Sequence, residues 1–251
     1  MDRRAFLRGA AACTAGALCS LGTAACCVDG LRDTDEATMG GAMTKRAFPS
    51  RIACAGDSIT YGEGVRKTRA MDSYPAKLAA FLASDGHTVQ VDNFGHSGAC
   101  ALSDGKHPYI DMQEYYASLA SDADLVILML GTNDAASIAW DGLAYRRDLG
   151  DFVDAYQGED EGAGTDSRLT RQVMLMVPPD ITRKTFGAAY TDEKFAEMQQ
   201  IVRELTIQRG LMCVDLELVF AGHEGEWLVD GVHPNADGNE QIARAIVEAL
   251  A

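Results

Sequence analysis

The run Leu125-Val126-Ile127-Leu128-Met129-Leu130 offers no polar position before it stops at Gly131. A strand with one wet face alternates apolar and polar residues, and a surface helix turns a polar side to water every three or four residues. A short run that does neither is a strand covered on both faces. Such strands belong to parallel sheets sandwiched between helices.

Four other segments fit the same scheme. Arg51 to Ala55 is a short apolar run ending in Gly-Asp, Thr88 to Phe94 alternates, Val173 to Val177 stops at Pro178-Pro179, and Leu211 to Leu216 is the fifth. Helical spacing fills the intervals. Ser73-Tyr74-Pro75 has the form of a helix start with Pro in the first turn, leading to Leu78 and Leu82. Phe195, Met198, Val202 and Leu205 share one helix face that Gly210 closes, and Ile242, Ile246 and Leu250 form a C-terminal stripe. Strands alternating with helices predict an α/β fold with a mostly parallel sheet and helices on both sides. Met129 and Met176 fall at core positions, and the acidic stretch Gly158 to Asp166 reads as a surface loop. With 251 residues, 47% of them hydrophobic, the chain has enough apolar material for a core without disulfide or metal staples. Its net charge of −15 repels phosphate backbones, which argues against a nucleic-acid partner.

The first 25 residues stand apart. Arg3-Arg4, then Phe6-Leu7-Arg8, then a small and mildly apolar stretch to Thr23-Ala24-Ala25 resemble a twin-arginine export signal with its cleavage site, although Asp2 stands where that pattern prefers Ser or Thr. Residues 26–48 are polar and carry Gly40-Gly41, as a flexible tether does. The folded domain is expected over 49–251, and the protein is expected to be exported, either secreted or attached to the cell envelope. Cys26, just past the cleavage site, is a candidate for lipid attachment and the one expected route to a membrane. Beyond the signal, Cys54, Cys100 and Cys213 have no metal spacing and read as small buried hydrophobes.

In open parallel sheets, sites form beyond the carboxyl ends of the strands. There the chain places Gly56-Asp57-Ser58-Ile59-Thr60, then Asn93-Phe94-Gly95-His96-Ser97-Gly98, then Gly131-Thr132-Asn133-Asp134. Asp230-Gly231-Val232-His233-Pro234 follows the fifth strand. These are the parts of an acyl-transfer site. A Ser hydroxyl becomes a nucleophile when a His takes its proton. The His needs a carboxylate to fix its tautomer, and Asp230 lies three residues from His233. An Asn amide with a Gly N–H supplies donors for a tetrahedral oxyanion.

The four blocks, in order from Arg51 to the chain end, resemble the SGNH hydrolases, the GDSL esterase/lipase family. The resemblance implies a three-layer α/β/α, flavodoxin-like sheet of five parallel strands, with neither metal nor cofactor. It implies Ser58 as nucleophile, His233 as general base and Asp230 as its orienting acid. Ser58 N–H, Gly98 N–H and the Asn133 amide form the oxyanion hole. The activity implied is hydrolysis of O-acyl esters on a small-molecule or glycan substrate. Short-chain lipid esters, or acyl transfer by the same residues, are the alternatives. Ser73-Tyr74-Pro75, Pro108-Tyr109, Leu130 to Asp134 and Trp140 resemble, more narrowly, the sialate O-acetylesterase-like and carbohydrate acetylesterase branch, where Asn usually precedes that Trp and this chain has Ala139.

Other features compete for attention. Gly95-His96-Ser97-Gly98-Ala99 nearly spells the nucleophile elbow of α/β-hydrolases, which makes Ser97 the rival nucleophile. Asp57 reads as a turn-former, and His87, His107 and His223 as surface residues. Gly62-Glu63-Gly64 lacks the third Gly of a dinucleotide fingerprint. Arg66, Lys67 and Arg69 form a basic cluster in an acidic chain, with Arg66 and Arg69 the candidates for holding a substrate carboxylate.

Overall fold

The five apolar runs become β1 (Arg51–Gly56), β2 (Gln90–Gly95), β3 (Leu125–Met129), β4 (Gln172–Val177) and β5 (Met212–Asp215). They form one sheet in the order β2-β1-β3-β4-β5, every neighbouring pair parallel. This computed structural model describes residues 48–158, 171–182 and 189–251. The signal-like segment 1–25 and Cys26 lie outside the described residues, as does the tether apart from Phe48 and the acidic loop apart from Gly158.

Strand ends shift by one or two residues from the sequence expectation, two of them for evident local reasons. β2 starts at Gln90 rather than Thr88, because in this register Thr88 falls opposite Pro49, which has no N–H to give to a ladder. β5 ends at Asp215, whose carboxylate accepts from Leu218 N–H and so caps helix α8 (Leu216–Phe220).

Helices cover both faces. On one side lie α6 (Gly142–Gln157), with Tyr145 and Phe152, and α7 (Asp192–Arg209), with Phe195, Met198, Val202 and Leu205. On the other lie α3 (Tyr74–Ser84), with Leu78 and Leu82, and α10 (Ala236–Leu250), with Ile242 and Ile246. Val126 and Leu128 of β3 face the first layer, and Leu125, Ile127 and Met129 the second. The unbroken apolar run follows, since each of these side chains gains roughly 1.5–3 kcal/mol by leaving water. Met176 also packs in the second layer.

The helix ends are specified partly from afar. Gly210 closes α7 in the left-handed conformation, as its position suggested. Ser73 occupies the N-cap place of α3 but makes no capping bond. The N–H of Tyr74 is instead taken 2.8 Å away by Asn239 of α10. Cys54 and Cys100 are buried, whereas Cys213, also expected inside, is exposed. It lies on β5, an edge strand with a single neighbour. Among the described residues no helix is long and apolar enough to cross a membrane.

Register decides where chemistry can occur. Gly56 pairs with both Gly95 and Met129, so β1, β2 and β3 end level with one another. The loops that follow them emerge on one edge of the sheet.

Candidate active site

Ser58 opens α1 (Ser58–Tyr61), directly after β1. Its own N–H belongs to the first turn, where helical donors have no partner within the helix. Asp57 caps this turn by accepting from Ile59 N–H at 2.9 Å, which fixes the direction of the Ser58 side chain. Ser58 keeps only 6% of its surface in water.

His233 arrives from the loop before α10. Its Nε2 lies 2.9 Å from Ser58 Oγ, and its Nδ1 lies 2.6 Å from Asp230 Oδ2. The other carboxylate oxygen of Asp230 accepts from the backbone N–H of Val232 at 3.0 Å and of His233 at 2.8 Å. Burial raises the pKa of Asp230, but the hydrogen bonds from the His233 ring and from these two N–H groups outweigh it. They hold the carboxyl below the usual aspartate value. An ionised Asp230 accepts from Nδ1–H, which leaves Nε2 with a lone pair toward the Ser58 hydroxyl.

The expected oxyanion donors Gly98 and Asn133 lie in the next two loops. Ala99 N–H bonds back to His96 C=O at 3.1 Å, closing a turn with Gly98 at its third place and φ at +86°. A positive φ there is the mark of a type II turn and favours glycine. Asn133 sits in α5 (Thr132–Ala135), after β3. One hydrogen of its amide goes to Ala99 C=O at 2.8 Å. That bond orients the amide and leaves its second hydrogen for a ligand. A cavity of about 410 Å³ opens here, lined by Gly98, Leu102, His107, Asn133, Ala136 and Ser137 among others.

Ser58, His233 and Asp230 are therefore joined in one relay by loops that lie 175 residues apart in the chain, while Gly98 and Asn133 share the wall of one cavity beyond the same sheet edge. The rival Ser97 has a different partner. Its hydroxyl donates to Glu63 at 2.7 Å, and the adjacent His96 faces Glu114 at 3.1 Å. Arg66 and Arg69 do not line the 410 Å³ cavity. With Tyr61, Lys67, Val91 and Asn93 they border a separate hollow at the β2 edge of the sheet. Arg69 donates to Tyr61 C=O at 2.5 Å and lies 3.9 Å over the Tyr61 ring, while Arg66 pairs with Glu63 at 3.4 Å.

Two residues passed over in the sequence, together with Asp57, which acts as the turn-former expected of it, support this arrangement. Asp134 is no simple turn-former: it is 1% exposed and accepts from Ala101 N–H at 3.1 Å and Leu102 N–H at 2.8 Å. Burial pushes its carboxyl up to about 6. Asp57 is fully buried and pushed up to about 7 by burial, although the Ile59 N–H and the charge of His233 pull the other way. Asn239, also fully buried, accepts from Tyr74 N–H and donates to Pro234 C=O at 2.9 Å, tying α3 to the His233 loop. A polar residue on the apolar side of α10 was the available signal. Among the described residues no group of His, Cys, Asp and Glu is arranged to hold a metal ion.

Fold and site together define a class: a three-layer α/β/α protein whose parallel sheet carries a Ser–His–Asp constellation at its carboxyl edge. Residues 54–241 match the GDSL-like Lipase/Acylhydrolase family, and the chain belongs to it. An acetylxylan esterase of Xylanibacter ruminicola is 30% identical over 213 residues. The match covers 80% of this chain but only 43% of that relative's length. Among solved structures, the carbohydrate acetylesterase Est24 of Sinorhizobium meliloti superposes with a TM-score of 0.61 at 23% identity, covering 79% of this chain and 96% of that one. A lipase/acylhydrolase from Enterococcus faecalis gives 0.63 at 22% identity, over 79% and 93%. At these identities the two structures speak for the fold alone.

Proposed function

We propose that this protein is a carboxylic ester hydrolase that removes acetyl groups from carbohydrate through an acyl-enzyme on Ser58. The observation that carries the reading is the continuous relay from Asp230 through His233 to the Ser58 hydroxyl, with links of 2.6 and 2.9 Å. Ser58 Oγ attacks the ester carbonyl carbon as His233 Nε2 takes the hydroxyl proton. The carbonyl oxygen becomes an oxyanion, held by the N–H groups of Ser58 and Gly98 and the free amide hydrogen of Asn133. Collapse expels the alcohol, which leaves with the proton from His233. Water, deprotonated by the same nitrogen, then attacks the acyl-enzyme, and its collapse releases acetate and restores Ser58.

The acetyl–carbohydrate assignment rests on the acetylxylan esterase relative. It is supported by the mixed rim of the cavity, where Asp104, Lys106, His107 and Ser137 offer polar groups to a hydroxylated alcohol beside Asn133. The resemblance of Arg3-Arg4 and its neighbours to an export signal supports an activity outside the cytoplasm, with Cys26 as the candidate lipid attachment site. Replacing both arginines with lysine should retain the protein in the cytoplasm, and continued export would point to another route.

The central test is acetate release from acetylated xylan, together with p-nitrophenyl esters of two to sixteen carbons. Ser58→Ala should abolish turnover, a loss on the order of 10⁶ in kcat, whereas Ser97→Ala should keep a substantial part of it. A dead Ser97→Ala beside an active Ser58→Ala would transfer the nucleophile's role to Ser97. A preference for long acyl chains over acetyl would replace the carbohydrate reading with a lipid-ester one.

A further inference from the structure

The turn between α1 and α2 (Arg69–Asp72) touches both halves of the site. Gly62 ends α1 in the left-handed conformation and leads straight into a 3-10 turn, Glu63–Val65. Gly64, in its middle, presses against the backbone of the His233 loop: a Cβ there would overlap the carbonyl oxygen of Pro234. Glu63, one residue earlier, reaches the opposite way. One carboxylate oxygen accepts from Ser97 Oγ at 2.7 Å, and the other pairs with Arg66.

Ser97 matters because of where it lies in its own turn. The turn runs from His96 to Ala99, so its central peptide joins Ser97 to Gly98. The N–H of that peptide is the Gly98 donor of the oxyanion hole. Type I and type II turns differ mainly in the direction of this central peptide, which rotates as a rigid plane. Glycine at the third place tolerates both forms, because it populates positive and negative φ about equally. Gly98 thus permits the geometry without locking it. Side-chain bonds hold the turn at His96 (to Glu114), at Ala99 C=O (from the Asn133 amide) and at Ser97 (to Glu63), and of these the Ser97 bond is the one made by a residue of the central peptide.

We propose that Glu63 is a positioning residue: through Ser97 it holds the Ser97–Gly98 peptide with its N–H toward the oxyanion. The inference rests on the acyl-transfer reading of Ser58 and deepens it. Arg66 steadies the far side of the same carboxylate, a role for this residue that needs no substrate charge. The chain from the nucleophile's helix to the oxyanion loop is then α1, Gly62, Glu63, Ser97, Gly98.

The consequence is a defect in kcat and not in binding, since the oxyanion exists only after attack. Ser97→Ala and Glu63→Ala should each lower kcat for p-nitrophenyl acetate about tenfold, short of the 10²–10³ lost when a donor is deleted outright. KM should stay within about twofold. The double variant should be no worse than either single one, because both remove the same bond. Glu63→Gln keeps an acceptor oxygen for Ser97 and should recover most of kcat. Multiplying effects in the double variant, a change confined to KM, singles indistinguishable from wild type, or no recovery in Glu63→Gln would each overturn the proposal. Wild-type turnover that disappears in Ser58→Ala checks the underlying reading separately. Should that turnover be absent, the proposal is decided on Gly98 itself. Its backbone amide resonance should shift in Ser97→Ala and Glu63→Ala and return in Glu63→Gln, and an unmoved resonance overturns the proposal.

Discussion

Replacing Asp230 with Asn should stop the enzyme without unfolding it, for a reason visible in the hydrogen bonds. Asp230 uses its two oxygens differently. Oδ1 accepts from two backbone N–H groups, at 3.0 and 2.8 Å, and Oδ2 faces His233 Nδ1 at 2.6 Å. An Asn in the same place must keep its oxygen toward the two N–H donors, since the reverse orientation would set its NH2 against them. Its NH2 therefore faces Nδ1 and donates to it. Nδ1 becomes the acceptor, and the ring proton moves to Nε2. An Nε2 that carries a proton cannot take the one on Ser58 Oγ. By analogy with the same exchange in a Ser–His–Asp template, kcat should fall about 10⁴-fold, which corresponds to about 5.5 kcal/mol of barrier. KM should change little, because the substrate meets neither atom before attack. Initial rates on p-nitrophenyl acetate give both constants, and ¹⁵N spectra of the ring show which nitrogen is protonated. A variant within about tenfold of wild type would refute the tautomer argument. So would a 10⁴-fold loss with the ring proton still on Nδ1.

Three further outcomes follow from the same contacts. Asn133→Ala should lower kcat by about 10²–10³ with KM nearly constant; a rise in KM alone would make Asn133 a substrate-binding residue instead. Asp57, buried and with its pKa pushed up to about 7, keeps a proton in the folded state that the unfolded chain releases near pH 4. Stability should therefore decline as pH rises from about 4 to 7, by at most roughly 4 kcal/mol. Asp57→Asn removes that decline, so the variant's melting temperature relative to wild type should climb over this window; a flat difference would show that Asp57 does not titrate there. Arg69→Ala should cost about 1–2 kcal/mol of stability through its lost stacking and hydrogen bond at Tyr61, while the preference between acidic and neutral acetyl sugars stays fixed. A selective rise in KM for the acidic ones would return Arg69 to substrate binding.

Much of this molecule is local, and local features are legible in a sequence. The apolar run at Leu125 needed cover on both faces whatever surrounded it. The blocks around Ser58, Gly98, Asn133 and His233 stood out because each follows a strand. Asp230 and His233 sit three residues apart, so their contact required only a tight loop. The flavodoxin-like sheet of five parallel strands was implied by family resemblance alone, and the level ends of β1, β2 and β3 were not legible, since hydrophobic periodicity carries no information on which strand pairs with which. What tertiary structure decided were the meetings of residues far apart in the chain. Asn239 caps a helix 165 residues upstream, where Ser73 looked sufficient. Asp134 resembles any turn aspartate until Ala101 and Leu102 fold over it. Arg66 and Arg69 follow Ser58 closely, yet the turn at Gly62 to Val65 carries them to another hollow. Glu63 meets Ser97 only because two strand-end loops converge. Sequence spacing constrains neighbours along the chain, and the remaining contacts exist only once the sheet has brought its loops to one edge.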